Sequence, residues 1–325
     1  MIDLATLQAR IPEALRDLDV SWPYDRTSGK VRESFALPDA QRLFVTTDRL
    51  SAFDVVLAAL PYNVKVLNEL SAFWFEQTAG VIPNSLLDVL DPNVSLVAAC
   101  RPLPVEVIVR GYITGSTRTA LWTLYAEGQR EIYGYTFPDG LEKNDPLPEP
   151  IITPTTKAGP GEHDERLTCA EVVERGLLDA KTWDDVQEAA LAIFRRGQAV
   201  ASAAGFCLVD TKYEFGWAPD GTLVLIDEVH TPDSSRYWIA DSYKESFAKG
   251  GRPASFDKDF VRAWVTERCD PYKDPIPEIP RDLIEQTSKV YIQAFEQITG
   301  KTFTPDLSGD TVLDRIRTNL KPYFA

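Results

Sequence analysis

The chain has 325 residues, 44% hydrophobic and 26% charged, with a formal net charge of −15. That length holds one large core or two modest ones, and the acidic balance argues against general nucleic-acid binding, which needs a basic surface against phosphates. It leaves room for anionic small molecules, which need only a local cluster of Lys and Arg.

The opening MIDLATLQARIPEALRDL has no cationic stretch followed by an apolar one, so no signal peptide is expected. No apolar run is long enough for a membrane span, so no membrane partner is expected either. Cys100, Cys169, Cys207 and Cys269 form no zinc pattern or disulfide framework, which fits reduced thiols and a cytoplasmic location. Leu4, Leu7, Ile11, Leu15 and Leu18 are spaced as one face of an amphipathic helix. Residues 30–37, 42–46 and 53–58 read as short strands, Asn63–Thr78 as a helix stopped by Gly80, and 94–99 and 105–112 as strands again. Ser116 reads as the N-cap of a helix over 117–127, closed by Gly128. Residues 133–166 are rich in Pro, Gly and charge, and within them only 151–153 look strand-like. Their centre, KAGPGEHDER (157–166), suits either a loop that closes on a ligand or a solvated excursion. Thr182 reads as the cap of a helix reaching about Ala204, and 257–268, Arg281–Thr299 and 311–320 as helices. The expected fold is α/β (α+β), with a β-rich N-terminal lobe over 1–115 and a larger α/β lobe over 116–325.

The chemistry concentrates where strand-like text carries charge. In CLVDTKYEFG (207–216), Asp210, Lys212 and Glu214 are two apart and share one strand face. APDGT (218–222) is turn chemistry leading into LIDEVHTPDSSR (225–236). An antiparallel register through that turn sets Asp227 about opposite Lys212. Three carboxylates around one ammonium conflict unless a divalent metal and a polyphosphate join them; the alternative is a solvated hairpin face.

Other segments add candidates. In TSGKVRESF (27–35), Gly29 with Lys30 and Arg32 on one strand face would line phosphates, or would be surface charges on an edge strand. In VEVIVRGYITGS (105–116), Arg110 pairs either with Glu106 on the same face or with an anion held at the helix N-terminus by Ser116. Arg236, just past a strand end, would reach the same anion bidentately. Asp48 and Asp54 read as turn residues or as cleft lining. His163 and His230 are the two histidines, too few for a triad or a multi-histidine metal site.

These motifs, in this order, resemble the SAICAR synthetase (phosphoribosylaminoimidazole-succinocarboxamide synthase) family, in its longer, fungal-type form. The resemblance runs through GKVRESF, TDRLSAFDVV, LSAFWF, VEVIVRGYITGS, TPTTKAGPGEHDE, DTKYEFG and IDEVHTPDSSRYW to YIQAFEQITG, nearly the whole chain. It implies ATP-dependent joining of L-aspartate to the carboxylate of carboxyaminoimidazole ribonucleotide (CAIR), giving SAICAR, ADP and phosphate in purine biosynthesis. The implied route is an acyl phosphate, with Mg²⁺.

By residue, the resemblance implies Gly29, Lys30, Arg32 and Lys157 along ATP, and Glu214 and Asp227 on Mg²⁺-ATP. It implies Arg110, Ser116 and Arg236 on the ribonucleotide phosphate, and Asp210 and Lys212 facing the imidazole and its carboxylate, with Asp54 nearby. Lys212, Asp210 and Lys157 are the implied catalytic residues. Glu33 stands where the family motif usually has aspartate, and is expected to matter little because it alternates off the Lys30/Arg32 face. The implied fold is related to ATP-grasp and kinase-like clefts, with the nucleotide between the lobes. A related ligase or kinase would share the nucleotide face without the triple phosphate site. A non-catalytic binder would lack one of Lys30, Glu214 and Asp227, and all three are present.

Overall fold

Alternation of apolar and polar residues builds two antiparallel sheets, and helices cover the apolar faces. The computed structural model describes residues 2–53, 55–117, 119–157, 164–247, 251, 253–256, 258–306 and 310–324. In chain order, helix α1 (Leu4–Arg10) precedes strands β1 (Arg26–Ser28), β2 (Arg32–Leu37), β3 (Gln41–Thr46), β4 (Arg49–Ala52) and β5 (Val55–Ala59). Helix α2 (Asn63–Thr78), β6 (Leu86–Asp91), β7 (Val94–Ala98) and β8 (Arg101–Tyr112) follow. Next come α3 (Leu121–Ala126), the short pair β9 (Glu131–Ile132) and β10 (Tyr135–Thr136), β11 (Pro146–Thr156), α4 (Cys169–Glu174) and α5 (Ala180–Ala203). The remainder is β12 (Phe206–Trp217), β13 (Leu223–Ile226), β14 (Ser235–Ile239), α6 (Ala240–Phe247), α7 (Asp259–Thr266), α8 (Arg281–Thr299), α9 (Val312–Asn319) and α10 (Lys321–Phe324).

The first sheet runs β1-β2-β3-β7-β6, with β4 and β5 as a separate hairpin. The second runs β11-β8-β12-β13, and β14 also pairs with β12. Val105, Val107 and Val109 of β8 face the main core, where Trp183, Val186, Ala190, Ile193 and Phe194 form the apolar stripe of α5. Glu106 and Arg110 therefore project from the opposite face. The same alternation on β12 sends Tyr213 and Phe215 into the core and Lys212 and Glu214 away from it. Helix α5 is capped by Asp179, whose carboxylate accepts from Thr182 N at 3.0 Å, rather than by Thr182 itself.

Strand β11 is much longer than the three residues expected. Pro146, Pro148, Pro150 and Pro154 mask it in sequence, and its edge position tolerates them, since an outward-facing amide has no ladder bond to lose. The strand over Arg101–Tyr112, expected within a first lobe ending at 115, is hydrogen-bonded in the second sheet. Conversely, Ile316 and Leu320 of the last helices pack against Phe35, Leu43 and Val45 of the first sheet. Arg315 donates to buried Asp91 (2.9 and 3.1 Å) and to Asp306 (2.7 Å) beneath them. Among the described residues, no helix is long and apolar enough to cross a membrane.

Asp48 is buried rather than a surface turn residue. Its carboxylate accepts from Leu15 N (2.8 Å) and Val64 N (3.3 Å), joining the N-terminal segment to the start of α2. Burial pushes its pKa up from 3.8 to about 6, and the two amides and Arg315 offset this only in part. The folded protein therefore binds the proton more tightly than the unfolded chain does. This contribution to stability is full below the unfolded value and is lost as the pH rises through about 6. Asp48→Asn should flatten that part of the Tm–pH curve, even if the altered acceptor lowers Tm overall.

Candidate active site

The site forms where one edge of β12 changes partner. Along that edge β13 pairs with Glu214–Trp217 and β14 with the span from Phe206 to Thr211. The chain between β13 and β14 carries Asp227 to Ser234 out of the sheet beside Lys212, whose backbone N donates to Ser234 O at 3.0 Å. On the other edge β8 places Glu106 opposite Glu214, Ile108 opposite Lys212 and Arg110 opposite Asp210.

Two charge clusters result. In the first, the Lys212 ammonium meets Glu214, Asp227 (3.3 Å) and Glu106 (3.5 Å). Lys157, at the end of β11, pairs with the other oxygen of Glu214. Arg32 reaches across from the first sheet to Asp227 at 2.6 Å. Burial works against the charge on Lys212, but Asp227, Glu214 and Glu106 outweigh it and raise the pKa. Burial likewise opposes ionisation of Asp227, yet Lys212 and Arg32 hold its carboxyl well below the usual carboxylate range. Glu228 next to it is pushed up to about 7 by burial first and then by Asp227 and Asp233.

In the second cluster, Asp210 lies between two arginines contributed by the neighbouring strands. Arg236 Nη1 is 2.6 Å and Arg110 Nη1 3.5 Å from the same oxygen. Arg110 Nε also donates to Thr153 on β11, at 2.8 Å.

Several expectations change. Asp210 shares the strand face with Lys212 but is engaged by arginines, and Glu106 takes the expected third-carboxylate place at Lys212. The partner of Arg110 is accordingly Asp210 and not Glu106. Asp227 is one place out of the expected register, since Ile226 pairs with Glu214. Its φ of 66° breaks the strand alternation and brings the side chain to Lys212 all the same. Lys30 is not on a strand; it sits at the tip of the β1–β2 hairpin, where Gly29 N donates to Arg32 O at 2.8 Å.

Ser116 does not cap a helix, because α3 begins at Leu121 with Ala120 as its cap. Gly115, at φ 104°, lets the chain fold back so closely that a Cβ there would lie 2.5 Å from that of Ala120. Ser116 instead lines a cavity of about 390 Å³ with Thr114, Lys143, Trp238, Tyr243 and Arg262. Asp54, and residues 158–163 with His163, lie outside the described residues.

Glu33 has a larger part than expected. It is buried and accepts from Arg26 (3.1 Å) and Arg49 (2.9 Å). Arg49 in turn donates to Thr47 Oγ1 (2.7 Å) and to Gly29 O (3.2 Å), while Thr47 Oγ1 donates to Val31 O (2.8 Å). The carbonyls of the hairpin tip are thus held from the inside. Only the strand register places Glu106 at Lys212 and Thr153 at Arg110.

Among the described residues no three His, Cys, Asp or Glu side chains are grouped to hold a metal alone. Glu214 and Asp227, converging on one ammonium, are hard oxygen donors suited to an ion carried by a polyphosphate, since Mg²⁺ is commonly held by one or two carboxylates plus substrate phosphates. The donor set fits such an ion.

The profile of the SAICAR synthetase family matches residues 25–279. A putative phosphoribosylaminoimidazole-succinocarboxamide synthase 2 of Agrobacterium fabrum is 57% identical over 296 residues, 91% of this chain and 94% of its own. The phosphoribosylaminoimidazole-succinocarboxamide synthase of Legionella pneumophila strain Lens is 48% identical over 308 residues, 94% of this chain and 98% of its own. The solved SAICAR synthase from Saccharomyces cerevisiae, complexed with SAICAR, is 31% identical, with a TM-score of 0.77 over 90% of this chain and 100% of that one. A SAICAR synthetase in complex with ADP shares the fold, at 23% identity and a TM-score of 0.66 over 86% of this chain and 100% of its own.

The support beneath the hairpin tip is open to a direct check. Glu33→Gln removes the charge that gathers Arg26 and Arg49, a loss on the order of 1.5–3 kcal/mol for charged hydrogen bonds. Amide exchange at Gly29 should accelerate, with little change in α8; unchanged exchange at Gly29 would show that Arg49 holds the tip unaided.

Proposed function

The chain belongs to the SAICAR synthetase family, and from that premise we infer how its two charge clusters divide the work. The enzyme joins L-aspartate to the carboxylate of CAIR and gives SAICAR, with ATP converted to ADP and phosphate. The observation that carries the division is their spacing on one strand face. Asp210 with its arginines and Lys212 with its carboxylates are two residues apart, about 7 Å along β12. A phosphoryl donor on one cluster and an acceptor carboxylate on the other would lie within reach.

In the proposed arrangement Glu214 and Asp227 would hold Mg²⁺ with the ATP phosphates, where it would neutralise charge developing on the departing ADP. Gly29 and Lys30 at the hairpin tip, Arg32 and Lys157 line the same phosphates. Arg110, Arg236 and Ser116 take the ribonucleotide phosphate. Binding of anions replaces the internal pairs: Arg110 and Arg236 turn from Asp210 to phosphate, and Lys157 turns from Glu214 to the nucleotide.

A carboxylate oxygen of CAIR then attacks the γ-phosphorus, forming the acyl phosphate as the bridging P–O bond to ADP breaks. The aspartate amine attacks the acyl carbon; the C–N bond forms, phosphate departs and the nitrogen loses a proton. Lys212 stabilises the acceptor carboxylate and Asp210 orients the imidazole. Asp54 is proposed at the reacting groups on the resemblance alone. A cytoplasmic location follows from the same reading.

Two measurements test this. Purified protein with Mg-ATP, CAIR and L-aspartate should form SAICAR, and omission of any one should stop ADP release. Arg110→Ala and Arg236→Ala should each raise KM for CAIR by about 10- to 100-fold, the equivalent of a charge-assisted contact, with KM for ATP little changed. Equal effects on both substrates would make the arginines structural partners of Asp210.

A further inference from the structure

His230 lies three residues beyond Asp227 and belongs to neither charge cluster, yet it is wholly buried and holds a left-handed backbone, φ 50°. Desolvation pushes its pKa down to about 3, so the imidazole is neutral. Nε2 is hydrogen-bonded to the Tyr213 hydroxyl, and Nδ1 has no hydrogen-bond partner among the described residues. Trp74 of α2 meets the ring edge-on, with centroids 4.6 Å apart. Helix α5 leaves space for it only because residue 197 is glycine: a Cβ there would stand 2.2 Å from the imidazole Cε1. The His230 carbonyl accepts from Tyr237 Oη at 2.8 Å.

An apolar side chain would fill this core position without a half-satisfied polar ring. The placement of Tyr213 suggests what the imidazole adds. Tyr213 stands between Lys212 and Glu214 on β12, with its side chain on the core face. On the edge of β12 nearest the site, the ladder to β13 ends at the Glu214–Ile226 pair, and the next backbone bond is from Lys212 N to Ser234 O. The His230–Tyr213 bond bridges that gap from beneath. It joins the segment bearing Asp227 to the strand bearing Lys212 and Glu214.

We propose that His230 is a positioning residue, which acts through Tyr213 and Trp74 to set the offset between Asp227 and Glu214. The proposal rests on the reading that these two carboxylates share the nucleotide's metal ion. Tight affinity for that ion requires both at fixed separation, and a shift of the 227–230 segment would spoil it while leaving the Arg110–Asp210–Arg236 cluster in place.

Tyr213→Phe removes one oxygen and keeps the ring, His230→Leu removes the hydrogen bond from the other side, and His230→Gln retains a side-chain N–H or C=O for Tyr213. Calorimetric titration of Mg²⁺ with a non-hydrolysable ATP analogue is the primary readout, and KM for CAIR the second. Tyr213→Phe and His230→Leu should weaken Mg²⁺-dependent analogue binding about tenfold, as loss of supporting bonds around metal ligands does. KM for CAIR should stay as in the parent, and His230→Gln should recover most of the affinity. Should His230→Leu fail to fold, Tyr213→Phe carries the test alone. Unchanged Mg²⁺-dependent binding in Tyr213→Phe, with a lower Tm only, would overturn the assignment and leave a packing residue. Glu214→Gln in the same titration separates the two levels. Metal-dependent binding that survives there overturns the metal reading itself, whereas loss there without loss in Tyr213→Phe overturns the role of His230 alone.

Discussion

Everything at the site depends on a single interruption of hydrogen bonding along β12. A strand edge satisfied throughout by one neighbour would have no space for a polar loop. Here two short strands share the edge, and the segment between them leaves the sheet at the one place where Lys212 faces outward. The opposite edge is paired with β8 across the same stretch, so the backbone stays rigid while one side opens. Rigid elements hold charged side chains more accurately than loops do. Of the two cluster centres, Asp210 and Lys212, each is on the strand itself.

The charges at this opening have partners before any ligand arrives. Arg32, Lys157 and Lys212 face Glu106, Glu214 and Asp227, and Arg110 and Arg236 face Asp210. Buried charge left unpaired is costly, and a site meant for highly charged substrates would otherwise be a site of strong repulsion. Internal pairs hold Arg32, Lys212 and Asp227 in their charged forms and keep the side chains near their working places. The Arg32–Asp227 pair has an additional effect: it spans the two sheets, so the hairpin of the first sheet and the loop of the second are registered to each other at the site.

Much of this was legible in the sequence, and the losses have definite physical causes. Helices over Asn63–Thr78 and Arg281–Thr299 were readable to the residue, because apolar spacing and terminal signals agree there. The shared face of Lys212 and Glu214 followed from strand periodicity alone. What sequence could not supply was register between distant strands. Spacing along one strand offers Glu106 as a partner of Arg110, as the alternative to an anion; the facing strand instead puts Asp210 against Arg110 and Glu214 against Glu106. Asp227 lay outside simple alternation because a left-handed residue ends the strand. Ser116 resembles a cap because TGS precedes apolar residues, while the fold-back at Gly115 delays the helix to Leu121. Strand β11 was hidden by prolines that only its edge position makes acceptable.

The packing of α9 on the first sheet bears on how this molecule comes into being. Arg315 and Asp91 are 224 positions apart, and Tyr24 meets the Tyr323 carbonyl across 299. The strands around Phe35 and Leu43 are synthesised early, but the helices that help to cover them come much later in the chain. At common elongation rates the interval is on the order of tens of seconds. Throughout it that face of the nascent sheet has only part of its cover, from Leu15 and Leu18 of the N-terminal segment, while the residues of the second sheet are already made. Birth of the protein is therefore out of step with its architecture: a part made early is finished late, and it is on that part that a chaperone would have most to shield.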